Sequence, residues 1–117
     1  FVSINVALLA ATKNLIDSKA LSLMKNDAIL INTARGGIVD ERALADALVQ
    51  NKLAAAGIDV FASEPIDTSN PLLKLSNVVI APHIGSASTA TRSKMANIAV
   101  ANILAVIDSK PMPFVVN

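Results

Sequence analysis

Apolar and polar residues alternate along this chain in blocks that predict strands and helices in turn. Four apolar stretches show no helical period and end at polar residues or at a proline, a pattern typical of strands in a parallel sheet. These stretches are Phe1–Asn5, Ala28–Asn32, Leu53–Val60 and Asn77–Ala81. We expect the second and the fourth to be buried. The apolar stretch Val6–Thr12 also lacks a period, and we expect it to be a loop packed against the protein.

Three further stretches have apolar residues at helical spacing, and they cover residues 17–24, 40–50 and 88–108. Asp17 and Asp40 are expected to cap the first two helices, because a short polar side chain accepts a hydrogen bond from the first turn. Ser88 or Thr89 is expected to cap the third. The residues predicted for the buried side of this third helix are Met95, Ile98, Ala99, Leu104 and Ile107.

The stretch Phe61–Leu75 is expected to be a loop, since Glu64-Pro65 and Asn70-Pro71 both interrupt regular structure there. Elsewhere strands alternate with helices. That alternation predicts an α/β fold, a parallel sheet of about four strands with flanking helices and right-handed crossovers.

Composition narrows the class of protein. Of 117 residues, 53% are hydrophobic and 16% are charged, which indicates one folded domain at most. The net charge is +1 without a basic stripe, so we expect no nucleic-acid partner. We also expect no membrane partner and a cytoplasmic protein, since there is neither a long apolar run nor a signal peptide. The chain opens in mid-strand without Met, and we interpret it as part of a longer protein.

Polar residues follow several of the predicted strands. Arg35 follows the strand Ala28–Asn32, Glu64 lies a few residues after Asp59, and His83 follows the last strand. The carboxyl ends of parallel strands share one edge of the sheet, where ligands bind in open α/β folds. We therefore expect Arg35, Glu64 and His83 to converge at that edge although they lie far apart in sequence.

These three side chains have complementary chemistry. A guanidinium offers a planar fork to a carboxylate and a neighbouring carbonyl oxygen. An imidazole exchanges protons near neutral pH, and a carboxylate beside it favours its charged form and orients the ring. With no predicted nucleophile, metal cluster or phosphate loop, the set fits protonation of a carbonyl while a cofactor delivers hydride.

Each residue also has a purely structural interpretation. Arg35 with its two glycines makes a good strand-to-helix turn, and a histidine after a proline can serve the fold alone. Glu64 can be an exposed loop residue, and Asp59 can cap a turn. A lyase or hydrolase that uses Arg35 and His83 without a cofactor is a further possibility, so physical reasoning alone leaves the reaction open.

Three long segments of the chain resemble the signature segments of the D-isomer-specific 2-hydroxyacid dehydrogenases, including glyoxylate/hydroxypyruvate reductases and phosphoglycerate dehydrogenases. They are Ile-Asn-Thr-Ala-Arg-Gly-Gly-Ile-Val-Asp-Glu41, Ala-Gly-Ile-Asp-Val-Phe-Ala-Ser-Glu-Pro65 and Ala-Pro-His-Ile-Gly-Ser86. The resemblance implies the second half of a Rossmann-type dinucleotide-binding domain, expected over residues 1–109. Residues 110–117 would then be a tail that returns toward a missing substrate domain.

The resemblance also implies a function. It is the interconversion of a small 2-oxo acid and a D-2-hydroxy acid with NAD or NADP, by a parent protein expected to be a homodimer. In that reading Arg35 binds the substrate, His83 is the acid and base, and Glu64 is its partner. The positions implied to line the cofactor are Val6, Thr33, Ala34, Arg35, Asp59, His83, Gly85 and Ser86.

One motif that such a dinucleotide-binding domain needs is missing from the chain. No Gly-x-Gly-x-x-Gly occurs in the chain, so the turn that holds the cofactor's pyrophosphate lies outside it. We therefore expect the isolated chain to be inactive. Some members of the same family serve as corepressors, so a nucleotide-sensing interaction protein remains the alternative.

Overall fold

The structure is a computed structural model that describes residues 1–115. Val116 and Asn117, at the end of the predicted tail, lie outside the described residues. Contacts divide the chain into a first unit, Phe1–Ile84, and a second unit that begins at Gly85. None of the helices within residues 1–115 combines the length and apolar character needed to cross a membrane.

A four-stranded parallel sheet forms the centre of the first unit. Its strands follow one another across the sheet in the order of the sequence, and all four lie within predicted strands. They are β1 (Val2–Ile4), β2 (Ile29–Asn32), β3 (Ala55–Ile58) and β4 (Val78–Ile80). In register, Asn32 is level with Ile4 on one side and with Ile58 on the other. The carboxyl ends of the first three strands therefore lie side by side.

The two faces of the sheet differ in burial. Leu30 and Ile58 lie on the covered face, with 0% and 3% of their surface exposed. Ile29 and Ile31 on the other face are only partly buried, and Val79 is 74% exposed. The expectation that β2 and β4 would be buried is therefore wrong for one face, because the helices of this unit pack on the opposite one.

Two helices of the first unit supply much of its core. Helix α1 (Ser18–Ser22) begins where Asp17 accepts a hydrogen bond from Ala20 N at 2.8 Å. Helix α2 (Glu41–Val49) begins where Asp40 accepts one from Ala43 N at 3.0 Å. Both predicted caps are confirmed. The buried apolar side chains of the two helices are Leu21, Leu44, Ala45, Ala47 and Leu48.

The connection from β3 to β4 contains a short helix. Pro71–Lys74 forms a 3-10 helix, and the side chain of Asn70 caps it by accepting from Leu72 N at 3.0 Å. The expectation of a loop as far as Leu75 is wrong for these four residues. A capping side chain followed by proline is itself a helix-start signal, since proline lacks the N–H that the first turn cannot use.

The second unit contains one long helix. Helix α3 (Thr89–Ile107) begins at its predicted cap, Ser88, and ends at Asp108. None of its residues is fully buried, and Met95, Leu104 and Ile107 are more than half exposed. The predicted buried side is therefore wrong for these three residues and for the exposed Ala99, whereas Ile98 is partly buried.

A polar residue explains where the partly buried side of α3 lies. Ile98, Ala101, Asn102 and Ala105 share this side. The amide of Asn102 donates to Phe114 O at 2.6 Å and accepts from Phe114 N at 3.0 Å. The following segment thus returns along α3, held by two hydrogen bonds between the Asn102 side chain and the Phe114 backbone, which an apolar pattern does not detect.

Candidate active site

The turn after β2 presents Arg35 at the carboxyl edge of the sheet. Asn32, which is 2% exposed, donates from Nδ2 to Arg35 O at 3.0 Å and accepts at Oδ1 from Ala34 N at 3.1 Å. The guanidinium is exposed, and its Nη1 donates to Ala34 O at 2.7 Å. A buried amide therefore sets the backbone from which Arg35 extends.

An open cleft lies between this turn and the chain that leaves β1. It has a volume of about 650 Å³. Four of the residues predicted to line a cofactor are found together here, namely Val6, Thr33, Ala34 and Arg35. The loop after β1 forms the opposite wall, with Asn5, Ala7 and Leu8.

Glu64 and His83 form the most direct contact among the predicted site residues. Glu64 Oε2 and His83 Nδ1 are 2.8 Å apart. The other carboxylate oxygen of Glu64, Oε1, accepts a hydrogen bond from Phe61 N at 3.0 Å. The two side chains are 40% and 47% exposed, so they remain accessible to a solute. An ion pair this exposed adds little to stability.

The surroundings of Glu64 favour its ionised form. The hydrogen bond with His83 is the largest cause that holds the pKa of Glu64 below its usual 4.5, and the Phe61 N–H is the next. The positive charge of Arg35 adds a smaller contribution in the same direction. Glu64 is thus a carboxylate at neutral pH, as a hydrogen-bond acceptor for an imidazole must be.

The backbone at His83 is in the left-handed region, with φ 55°. This conformation costs a non-glycine residue roughly 1–2 kcal/mol. It is held by Asp59, which is 5% exposed and whose Oδ1 accepts from Ile84 N at 2.8 Å. Asp59 therefore has the turn-forming role that the sequence left open, while its predicted contact with a cofactor remains a prediction.

The predicted site residues lie in two neighbouring regions. Asp59, Glu64 and His83 line a second cleft of about 290 Å³, with apolar walls from Phe61, Pro65, Ile66, Ile80, Ala81 and Pro82. Arg35 lines the first cleft, and within residues 1–115 it makes no hydrogen bond to Glu64 or His83. The acid–base pair is therefore assembled, while the Arg35 guanidinium is hydrogen-bonded to Ala34 O in the neighbouring cleft.

Two predicted positions belong to the other unit. Gly85 and Ser86 stand at its start, and their contact with a cofactor stays a prediction. The described residues contain no cluster of three or more histidine, aspartate or glutamate side chains that could hold a metal ion.

Sequence comparison identifies the family. Residues 1–85 match the family described as D-isomer specific 2-hydroxyacid dehydrogenase, NAD binding domain. The chain belongs to this family. The resemblance inferred from the three signature segments is thereby confirmed, and so is the Rossmann-type parallel sheet.

Relatives in the dehydrogenase family are similar over nearly the whole chain. A glyoxylate reductase of Korarchaeum cryptofilum is 48% identical over 117 residues, which are 100% of this chain and 35% of that protein. A D-lactate dehydrogenase from Lactobacillus jensenii, solved with NAD+, is 35% identical with a TM-score of 0.87, over 98% of this chain and 38% of its own. The chain thus spans about a third of the length of the relatives it matches.

A third relative carries a different cofactor. The NADPH-dependent glyoxylate/hydroxypyruvate reductase of Sinorhizobium meliloti, solved with NADP and malonate, is 39% identical with a TM-score of 0.82. The match covers 88% of this chain and 32% of that one. Structures similar to this dehydrogenase domain therefore include both NAD and NADP complexes.

Sequence reasoning missed three polar residues around the site of this dehydrogenase domain. They are Asn32, Glu41 and Asn70. A polar residue at the end of an apolar strand was the available signal for Asn32. Glu41 has the negative charge that a helix dipole favours in the first turn, and it also accepts hydrogen bonds from Ala62 N and Asn70 Nδ2, both at 2.6 Å. No local pattern indicates partners that lie 21 and 29 residues away.

Proposed function

We propose that the protein carrying this chain is an NAD(P)-dependent oxidoreductase that interconverts a small 2-oxo acid and a D-2-hydroxy acid. The observation that carries the proposal is the 2.8 Å contact between Glu64 and His83 at the sheet edge that also presents Arg35. Family membership supports the reaction class.

His83 is the proton donor during reduction. With Nδ1 bound to Glu64, Nε2 is the ring atom that gives its proton to the carbonyl oxygen of the substrate. Glu64 keeps the ring in that orientation and stabilises the charged imidazolium, because it is ionised at neutral pH. In the reverse direction the same nitrogen takes the proton from the hydroxyl group. A positioned acid and base of this kind contributes about 10²–10⁴-fold to the rate.

Arg35 binds the substrate. Its guanidinium is exposed, while the backbone that carries it is fixed by the buried Asn32. A planar fork of N–H donors matches the carboxylate of a 2-oxo acid and the adjacent carbonyl oxygen. Binding the carboxylate there places the carbonyl oxygen toward His83, and the positive charge stabilises the negative charge that develops on that oxygen.

The cleft beside Arg35 fits the nicotinamide end of the cofactor. Its lining combines aliphatic residues such as Val6 and Leu8 with the guanidinium-bearing residue Arg35. Val6, Thr33, Ala34 and Arg35, together with Asp59 and His83 of the same unit, would hold that end. A bound nicotinamide supplies the hydride for reduction of the carbonyl carbon.

The substrate class is proposed from the relatives. The names of three similar proteins refer to glyoxylate, hydroxypyruvate and D-lactate, and one of their structures holds malonate. All are small acids with a carboxylate that Arg35 can bind. We propose a two- or three-carbon 2-oxo acid as the substrate.

The test uses the full-length protein that carries this chain. Oxidation of NADH and NADPH is followed at 340 nm with glyoxylate, hydroxypyruvate and pyruvate. The proposal expects turnover of at least one, loss of roughly 10²–10⁴-fold in kcat for His83→Ala, and a raised KM for Arg35→Lys. Absence of turnover, or an unchanged rate in His83→Ala, would overturn it. Cofactor binding without turnover would favour the nucleotide-sensing alternative.

A further inference from the structure

Glu41 links two parts of the site that are distant in sequence. It lies in the first turn of α2, six residues after Arg35, and it is partly buried. Its Oε1 accepts from Ala62 N at 2.6 Å and its Oε2 accepts from Asn70 Nδ2 at 2.6 Å. One carboxylate therefore holds the segment that carries Glu64 at two points, one on each side of it.

The segment between these points leads directly to the acid–base pair. Phe61, which precedes the first contact, is 8% exposed and donates its N–H to Glu64. Asn70, at the second contact, uses its other amide atom to cap the 3-10 helix at Leu72 N. Releasing Glu41 therefore frees the backbone that places Glu64 against His83.

We propose that Glu41 is a positioning residue for the reaction, which acts through Glu64 on the orientation of His83. This assignment rests on the proposed function for its kinetic consequences only. The geometry favours positioning over a contribution to the helix dipole alone, because both carboxylate oxygens are engaged by the loop. A charge that served only the dipole of α2 would need neither partner.

The chemistry of the two contacts gives a sharp test. Both partners of Glu41 are N–H donors. In Glu41→Gln the amide oxygen can accept a hydrogen bond from one of them, but the amide nitrogen is itself a donor and cannot accept from the other. Asn70 cannot turn its amide to compensate, since its oxygen already accepts from Leu72 N. Asn70→Asp keeps the Leu72 cap but sets two carboxylates against each other. Combining the two changes restores all three hydrogen bonds, with the charge moved from position 41 to position 70.

Kinetics of the full-length protein provide the first measurement. We expect each single variant to lower kcat about 10- to 100-fold, because a small misplacement of the acid–base pair is costly, and to change KM less than about twofold. The combined variant should recover most of the loss. In a Glu64→Gln background, Glu41→Gln should have almost no further effect. An equal loss in both backgrounds, or no rescue, would overturn the assignment.

Asp46→Asn is the matched control. It removes the same charge from the same helix, but its side chain is 61% exposed and pairs only loosely with Arg42 at 3.9 Å. Kinetics and thermal stability should remain those of the parent. If Asp46→Asn reproduced the effect of Glu41→Gln, the cause would be the charge of α2 and the assignment would fail.

Hydrogen exchange provides a measurement that needs no turnover. Glu41→Gln should accelerate exchange over residues 61–70 and leave β2 unchanged. If the full-length protein is inactive but Glu41→Gln still accelerates exchange over residues 61–70, the proposed function is refuted, whereas the positioning of this loop by Glu41 is supported. Exchange over 61–70 that is the same in Glu41→Gln as in the parent would refute the role itself.

Discussion

The backbone of Gly36 packs directly against the loop that carries Glu64, which makes Gly36→Ala a decisive perturbation. A Cβ at Gly36 would overlap the carbonyl of Phe61 and lie 2.5 Å from Ala62 N, whereas ordinary contact begins at 3.4 Å. All of these are backbone atoms, so no side chain can rotate away. The loop must therefore retreat by more than about 1 Å to reach ordinary contact distance.

The retreat has two costs. Overpacking of this kind costs about 1–3 kcal/mol. The retreat also lengthens the hydrogen bond from Ala62 N to Glu41, worth about 1 kcal/mol. We expect Gly36→Ala to lower the free energy of unfolding by about 3 kcal/mol, which for a domain of this size lowers Tm by about 10 °C. Moving Glu64 and His83 by about 1 Å relative to Arg35 should also lower kcat/KM about 100-fold.

Two other glycines serve as controls. Gly57 has room for a Cβ, whose nearest neighbour is Ile31 Cγ1 at 3.9 Å, so Gly57→Ala should be neutral or stabilising by about 0.5 kcal/mol. Gly37 also has room, but its φ of +77° makes Gly37→Ala strained by about 1–2 kcal/mol. Urea unfolding should show the largest loss of unfolding free energy in Gly36→Ala, a smaller loss in Gly37→Ala and no loss in Gly57→Ala. A Gly36→Ala no less stable than Gly57→Ala would refute the close packing.

Three further outcomes are expected. Asn32→Ala should lower the free energy of unfolding in urea by about 1–3 kcal/mol, because two part-buried hydrogen bonds to the backbone, at Ala34 N and Arg35 O, are lost. The pKa of Glu64 lies below 4.5, so its stabilising contribution is present above that pH and is lost as the pH falls further. Denaturation at pH 3–6 should show this loss in the parent and not in Glu64→Gln. The exposed edge strand β1 should make the isolated chain self-associate, which sedimentation velocity can measure. Val2→Lys should reduce this association. A monodisperse monomer that melts cooperatively would contradict the prediction.

Local signals in the sequence predicted local structure well. Asp17, Asp40 and Ser88 cap the helices they were expected to cap, because a cap depends on residues within one turn. The strands were predicted from continuous apolar runs, and their parallel direction was predicted from the alternation of strands with helices. Glu64 and His83 could be brought together from topology alone, since both follow neighbouring strands of one sheet.

What depended on distant partners could not be predicted. Val79 has the apolar character of a buried strand residue, but its burial depends on whether another element covers that face. Asn102 lies on the partly buried side of α3 because it bonds the backbone of Phe114, and hydrophobicity gives no sign of that. The second role of Glu41 likewise depends on a loop that begins twenty residues later.

The order of the sheet also has a consequence for how the domain folds. Among residues 1–115, each strand pairs only with strands that are adjacent to it in sequence, so these four strands can pair one after another as the chain is synthesised. His83 follows β4, the last strand of the series. Its contact with Glu64 can form only after β4 has docked on β3. The acid–base pair therefore forms after the other three strands of the sheet. A chain stalled before β4 would have α1, α2 and the buried core of the first unit, but not the acid–base pair.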